Sequence, residues 1–195
     1  MKKLALVDFD NTLVMCDTLG HILKEEKYYL DVRLLSLGVG VLVSRILYRS
    51  RRDKQILFRS KFKEAFLSKF CRMTDEKLQM YVDYFKSKVN VKLLDYLDKI
   101  GYDKIMVVSG SEEMLIKRIL DGILSVDAVV ANSCADIGRD FMTCWNINKV
   151  VRLRKIIDLE RFDCIHLYTD SYDDLPLMEI ANETYMVRGE EVLKL

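Results

Sequence analysis

Two textures of hydrophobic and polar positions follow one another along the chain. Leu4, Ala5, Leu6 and Val7 open it with an unbroken apolar run, the pattern of a strand buried on both faces. From about residue 16 to 90 the pattern changes to long Leu- and Lys-rich strings, such as RRDKQILFRSKFKEAFLSKF, that predict helix almost throughout. Thr74 followed by Asp75 and Glu76 reads as an N-cap with acidic first-turn residues. Short apolar runs return after about residue 91: KIMVVS (104–109), AVVA (128–131), CIHLYT (164–169) and TYMV (184–187). Helical patterns lie between them, closed at Gly101 and Gly122 in C-cap fashion. Continuous apolar strands alternating with helices predict an α/β fold, a parallel sheet covered by helices on both faces. The first strand has no second strand near it until residue 104, so it is expected to join that sheet. Residues 1–15 and 91–195 then form the α/β core, and residues 16–90 a small all-helical cap inserted after the first strand.

Composition narrows the class. The chain has 195 residues, 50% apolar and 31% charged, enough for one sizeable core or a core plus a small insert. A net charge of +1 gives the whole molecule no strong pull on nucleic acid, and none is expected as a partner. The five cysteines, Cys16, Cys71, Cys134, Cys144 and Cys164, form no CxxC pair and read as reduced thiols in the core of a cytoplasmic protein. Lys2 and Lys3 precede an apolar run, but Asp8 interrupts it too early for a secretion signal. The most apolar window, 34–44, is too short to span a bilayer. No repeat, linker or obligate protein partner is evident.

Chemistry gathers where the apolar runs end. Asp8 and Asp10 are two residues apart, so on a strand they point the same way. Like charges that close resist ionising together, and a bound cation would offset the cost. Ser109-Gly110-Ser111 follows the second strand, and Asp170-Ser171-Tyr172-Asp173-Asp174 follows CIHLYT. Pro176 then sits in a helix first turn. Lys149 opens the helical run KVVRLRKIIDL. Ligands of open α/β sheets bind at the carboxyl ends of strands. These groups together would hold a divalent cation, a nucleophile, phosphate hydrogen-bond donors and one fixed positive charge.

The segments DFDNT, VVSGS, Lys149 within NINKVVRL, and TDSYDDLPLM, in that order, resemble the motifs of the haloacid dehalogenase superfamily. The resemblance is to its aspartate-dependent phosphatases, and the helical insertion after the first motif is similar to the phosphoserine phosphatase branch. Asn11 stands where glycine is commonest, and Thr169 where glycine often precedes the fourth-motif aspartate. The resemblance implies a Rossmann-like doubly wound core and a Mg²⁺-dependent phosphomonoester hydrolase acting on a phosphorylated small molecule. It implies Asp8 as nucleophile, forming an aspartyl-phosphate, and Asp10 as general acid and then base. Mg²⁺ would be held by Asp8, the Asp10 carbonyl and Asp170. Ser109 and the Gly110 N–H would bind phosphate. Lys149 would pair with nucleophile and phosphate, and Asp174, with Asp173 less directly, would support them from behind. Asp17, nine residues after Asp8, falls where the phosphoserine phosphatases place a substrate-binding glutamate. Transfer to an alcohol instead of water, or a lipid-linked phosphate at a membrane surface, are alternatives. A signalling receiver domain is disfavoured because DxDxT lies on one strand; a dehalogenase is disfavoured by Asp10 and Asp170.

Other residues carry plainer expectations. Ser111 reads as a helix cap, His166 as a satisfied core histidine, His21 as a surface residue and Trp145 as packing. The glycines of LGVGV (37–41) have no lysine or strand-to-helix context and form no phosphate loop. Residues 45–63 carry Arg45, Arg49, Arg51, Arg52, Lys54, Arg59, Lys61 and Lys63 against one acid, Asp53. That stripe is a solvated face, a lid that draws in phosphate, or, with the apolar window beside it, a surface for peripheral contact with anionic membrane.

Overall fold

A computed structural model describes residues 1–138 and 140–195. The apolar run at the start becomes β1 (Lys3–Val7). The later runs become β2 (Lys104–Glu112), β3 (Ala128–Asn132), β4 (Cys164–Thr169) and β5 (Glu183–Arg188). A short sixth strand, β6 (Glu191–Lys194), completes one sheet in the order β3-β2-β1-β4-β5-β6. All neighbours run parallel except β5 and β6. The antiparallel β6 departs from the all-parallel expectation. It is only four residues long and mostly exposed, so it lacks the apolar run that marks the others, and Gly189 at φ 59° makes its turn.

Helices α1 (Thr18–Glu25), α2 (Val32–Leu47), α3 (Arg52–Phe70) and α4 (Asp75–Lys86) follow β1. Thr74 caps α4 by accepting from Lys77 N at 3.4 Å. Helix α5 (Val91–Ile100) leads into β2 and ends on Gly101 in the left-handed region. Helices α6 (Glu113–Leu120), α7 (Ile147–Arg154) and α8 (Leu175–Met178) connect the remaining strands.

Alternation along β1 divides the interior in two. Ala5 and Val7 face one cluster and Leu4 and Leu6 the other. The second cluster holds Val150 and Leu153 of α7 and Leu177 of α8. The first holds Leu93 and Leu97 of α5 together with Phe66 and Phe70 of α3 and Val82 and Phe85 of α4. The helices between β1 and β2 therefore share one continuous apolar cluster with a face of the sheet.

Cross-links reinforce that packing. Cys71, next after α3, forms a disulfide with Cys134, just past β3, their Cα atoms 6.0 Å apart. This corrects the all-thiol expectation for those two cysteines; Cys16, Cys144 and Cys164 are free thiols. The partners lie 63 residues apart in sequence, and only the approach of α3 to the end of β3 reveals the pair. Ser60 Oγ of α3 also accepts from Thr143 N at 3.0 Å, and Glu64 Oε1 from Gly138 N at 3.1 Å. No helix among the described residues is long and apolar enough to cross a membrane.

Candidate active site

The β1 ladder runs one residue past the strand, with Asp8 N donating to Tyr168 O at 2.9 Å. That bond fixes the Asp8 backbone at the carboxyl end of the sheet. The chain then turns sharply, with Val14 N donating to Phe9 O at 2.9 Å and Asn11 at φ 54°. A left-handed position tolerates asparagine after glycine, which accounts for Asn11 where glycine is commoner.

Lys149, in the first turn of α7 and only 3% exposed, reaches Asp8 Oδ1 at 3.0 Å. It also lies 2.7 Å from Asp174 Oδ1 and 2.8 Å from Oδ2. Thr169 Oγ1 donates to Asp174 Oδ2 at 2.9 Å, so the threonine that replaces glycine holds that carboxylate in place. Burial pushes Asp8 up to about 7, opposed by Lys149 and helped by the charges of Asp174 and Asp10. Burial alone would lower Lys149, but Asp174 and Asp8 raise it, so it stays charged.

Asp10 has both oxygens engaged. Oδ1 accepts from Thr18 N at 3.0 Å and Thr18 Oγ1 at 2.7 Å, and Oδ2 accepts from the Ser111 hydroxyl. Burial raises Asp10, while the Ser111 and Thr18 bonds oppose the shift. Ser111 is thus a partner of Asp10 and not the helix cap expected; Glu112 holds the cap position of α6 without a side-chain cap bond. Ser109 Oγ accepts from Ser111 N at 3.0 Å, leaving its own hydroxyl hydrogen to donate elsewhere. Asn132 Nδ2 donates to Gly110 O at 2.6 Å while Asn132 Oδ1 accepts from Cys144 N at 2.8 Å, pinning this loop to the chain ahead of α7. A Cβ at Gly110 would stand 3.4 Å from Cys144 O, so the approach is close. Thr18 and Asn132 are not singled out by sequence; both carry ordinary polar side chains, Thr18 eight residues from Asp10 and Asn132 22 and 12 residues from its partners.

Asp170 is half-buried beyond β4, and burial raises it, with Asp174 and Asp10 adding to the shift against Lys149. Asp173 points the other way, toward α3. Arg52 Nη1 lies 3.3 Å from Asp173 Oδ1 and Arg59 Nη2 3.8 Å from Oδ2, while Trp145 Nε1 donates to Oδ2 at 3.2 Å. The Arg59 guanidinium also stacks 4.0 Å above the Trp145 ring. Trp145 therefore packs under Arg59, bonds Asp173 and lines the cavity described next.

A cavity of about 270 Å³ opens between these elements. Asp10, Asp17, Gly110 and Ser111 line it from one side, and Val41, Arg59 and Lys63 from the helices opposite. Lys63 Nζ bonds Glu112 Oε1 at 2.9 Å, both side chains buried. Asp17 is exposed at the rim and caps α1, accepting from Gly20 N at 3.0 Å. The basic stripe is thus divided: Arg59 and Lys63 turn inward to acids, Arg52 reaches Asp173 from an exposed position, and Arg45, Arg49, Arg51, Lys54 and Lys61 are exposed. His21 stacks on Tyr84 with centroids 4.3 Å apart and does not line the cavity. His166 is satisfied in the core by Tyr102 at 2.5 Å and Cys164 at 3.1 Å. A larger open hollow of about 700 Å³ beside β3 and α7 is lined by none of Asp8, Asp10, Ser109, Lys149, Asp170 and Asp174.

The donor set suits a hard cation. Asp8, Asp10 and Asp170 offer carboxylate oxygens, and burial raises all three carboxyls, a cost that a divalent ion would offset. Lys149 engages one Asp8 oxygen, and the only hydrogen bond that lowers Asp170 comes from its own backbone. Among the described residues no three His, Cys, Asp or Glu side chains form a ready cage. The expected set has its third ligand in a backbone carbonyl and needs no such cage.

Strand order, motif placement and cavity together define a hydrolase of the haloacid dehalogenase type. The chain belongs to the haloacid dehalogenase-like hydrolases, whose family model matches residues 5–179. Its fold is that of solved phosphoserine phosphatases. The apo form of one superposes with a TM-score of 0.61 at 20% identity over 94% of this chain and 85% of that one. A phospho-aspartyl intermediate analogue of phosphoserine phosphatase gives 0.55 at 19% identity, covering 94% and 85%. A protein of unknown function from Bordetella pertussis Tohama I gives 0.60 at 19%, covering 94% and 89%. No curated protein sequence matches the chain.

Proposed function

We propose that the protein is a Mg²⁺-dependent phosphomonoesterase that works through an aspartyl-phosphate on Asp8. The observation that carries the reading is the buried Asp8–Lys149–Asp174 chain at the end of β1, beside an Asp10 held by Thr18 and Ser111. An Asp8 oxygen attacks phosphorus while the bond from phosphorus to the leaving oxygen breaks. Asp10, its proton affinity raised by burial, gives that proton to the leaving oxygen. It then takes one from the water that attacks the phospho-aspartate, releasing inorganic phosphate and restoring Asp8. Lys149 keeps Asp8 oriented and neutralises charge on the phosphate, which is most of what phosphoryl transfer needs. Ser109 donates its free hydroxyl hydrogen to a phosphate oxygen, and the Gly110 N–H does the same.

Asp8, the Asp10 carbonyl and Asp170 would hold Mg²⁺, which supplies further neutralisation of the phosphate when bound. Asp174 and Asp173 act from behind, the first on Lys149 and the second on Arg59 and Trp145. The helices of residues 16–90 act as a cap whose inner face selects the substrate, a phosphorylated small molecule, with Asp17 at the rim. The phosphoserine phosphatase likeness rests on fold, and the shorter Asp17 fits a substrate other than phosphoserine. A cytoplasmic location belongs to this reading; the Cys71–Cys134 bridge weighs against it, since such bridges are rare in reducing compartments.

The test is hydrolysis of p-nitrophenyl phosphate and of amino-acid, sugar, nucleotide and lipid phosphates, with and without Mg²⁺. Activity is expected to vanish in EDTA and to return with Mg²⁺ but not Ca²⁺, whose longer bonds and higher coordination would misplace the phosphate. Full turnover in excess chelator removes the metal from the proposal. Transfer to added alcohol in place of water would be seen as a new ester among the products.

A further inference from the structure

Helix α2 carries apolar residues on its outer side as well as its inner one. On the inner side Leu34 and Ser44 are buried, a Cβ on Gly38 would meet Phe62 at 3.5 Å, and one on Gly40 would meet Phe58 at 3.3 Å. These glycines serve close packing on α3, which explains LGVGV without a phosphate. Most of the bulky apolar residues point to solvent. Leu35, Val39, Leu42, Val43, Ile46 and Leu47 are all exposed, Ile46 to 78%. Their spacing, i, i+4, i+7, i+8, i+11 and i+12, is that of one helical stripe. Val32 at the start of the helix, 80% exposed, extends it. A 16-residue helix is about 24 Å long, so the apolar face is far larger than scattered exposed leucines would give.

Charge at the rim says what covers this face. At the C-terminal end stand Arg45, Arg49 and Lys54, all exposed and with no acidic partner among the described residues, while Asp53 is taken by Arg51 at 3.1 Å. At the N-terminal end Asp31 is paired with Lys69 at 2.7 Å and Glu26 with Lys77 at 2.5 Å, and of the exposed charges Lys24, Glu25, Lys27 and Arg33 three are basic. Both ends of the stripe are therefore net positive. A second copy, laid on it parallel or antiparallel, would set basic rim against basic rim. An anionic surface would meet complementary charge along the whole length.

We propose that the outward face of α2 docks on anionic lipid, with the helix lying in the plane of the bilayer surface and its apolar side chains among the headgroups and upper acyl chains. Val41, on the inner side of the same helix, lines the catalytic cavity. Helix α2 is thus the wall between that cavity and the membrane. Docking itself does not depend on the phosphatase reading.

The test is flotation of the full chain with vesicles of phosphatidylcholine alone or with about a third phosphatidylserine. Binding to the anionic vesicles at least ten-fold tighter than to neutral ones, weakening as salt rises, is expected. Leu42→Glu with Ile46→Glu should remove it. Both side chains are already exposed, so circular dichroism and melting should match the wild type, and turnover of p-nitrophenyl phosphate in solution should be unchanged. Arg45→Gln, Arg49→Gln and Lys54→Gln together should remove the preference for anionic lipid. No binding to anionic vesicles, or undiminished binding by the Leu42→Glu, Ile46→Glu protein, overturns the proposal. So does a dimer at micromolar concentration that this variant dissociates, which would assign the stripe to a second copy. Loss of p-nitrophenyl phosphate turnover in the wild type would count against the phosphatase reading and leave docking standing.

Discussion

The end of β1 and the outer face of α2 treat polarity in opposite ways. At the strand end, charged groups are buried and nearly every one has a partner: Asp8, Lys149, Asp174 and Thr169 form one chain, and Asp10, Thr18 and Ser111 another. On α2, apolar groups are exposed and the described residues give them none. Buried charge is tolerated only where neighbours neutralise it, and exposed apolar surface persists where something outside the chain covers it. One region satisfies its polar groups within the chain; the other leaves its apolar face uncovered by the described residues. The contrast predicts that damage at the strand end destroys chemistry, whereas damage in the helices changes stability or recognition and spares chemistry.

Asp8→Asn is the strongest probe of that division. Removing the proposed nucleophile would close the covalent route, and a loss of at least about a thousand-fold in kcat is expected with the fold intact. A well-folded Asp8→Asn protein that keeps more than about a tenth of wild-type activity would place the nucleophile elsewhere.

The two buried lysines compare the regions directly. Lys149→Met strips the partner from Asp8 and Asp174, and Lys63→Met strips it from Glu112. Breaking a buried pair from one side costs about 3–5 kcal/mol, so urea midpoints should fall in both. Activity should separate them. Lys149→Met should abolish p-nitrophenyl phosphate hydrolysis per folded molecule, whereas Lys63→Met should retain it, and adding Glu112→Gln should recover part of the stability. If Lys63→Met is as inactive as Lys149→Met, the helices take part in the chemistry and the division fails.

Next comes the covalent tie between the regions. The Cys71–Cys134 bridge closes a long loop from the helices to the end of β3. Cys71→Ser with Cys134→Ser should cost about 2–4 kcal/mol in chain entropy of the unfolded state. Catalysis on a small ester should be unchanged, since neither cysteine lines the cavity. A melting temperature insensitive to dithiothreitol in the wild type would mean the bridge contributes nothing.

What the sequence made legible follows the same line. Asp8, Asp10, Ser109, Lys149 and Asp174 stand at strand or helix ends beside apolar runs, where local pattern marks them as candidates. Asn132 acts through partners whose proximity only the folded chain creates, and Thr18 and Thr169 sit near their carboxylates in sequence, where nothing local marks a threonine as the holder. Trp145 reads as packing because its partners, Arg59 and Asp173, lie 86 and 28 residues away. The basic stripe reads as one feature in sequence because charge counts ignore direction. In the fold, helical phase turns Arg59 and Lys63 inward and leaves Arg45 and Arg49 outside. Strand β6 is short and mostly exposed, so periodicity has little to register.

The smallest expected effect comes from Asp17, where the two regions meet. Its Oδ1 caps α1 through Gly20 N, and a Cβ on Gly20 would come within 2.6 Å of its Oδ2, so the carboxylate is closely seated against the helix. Asp17→Ala therefore combines two losses, the cap and any contact with substrate. The cap alone costs about 1 kcal/mol of stability. Asparagine caps nearly as well as aspartate, so Asp17→Asn keeps the structural part and removes only the charge. Melting should fall for Asp17→Ala and stay near wild type for Asp17→Asn. If Asp17 holds a polar or cationic group of the substrate, kcat/KM for that substrate should fall in both, by roughly 1–3 kcal/mol, while p-nitrophenyl phosphate is turned over as before. If only Asp17→Ala is affected, and only in stability, the residue is a helix cap at the rim and substrate selection passes to Arg59 and the wall opposite.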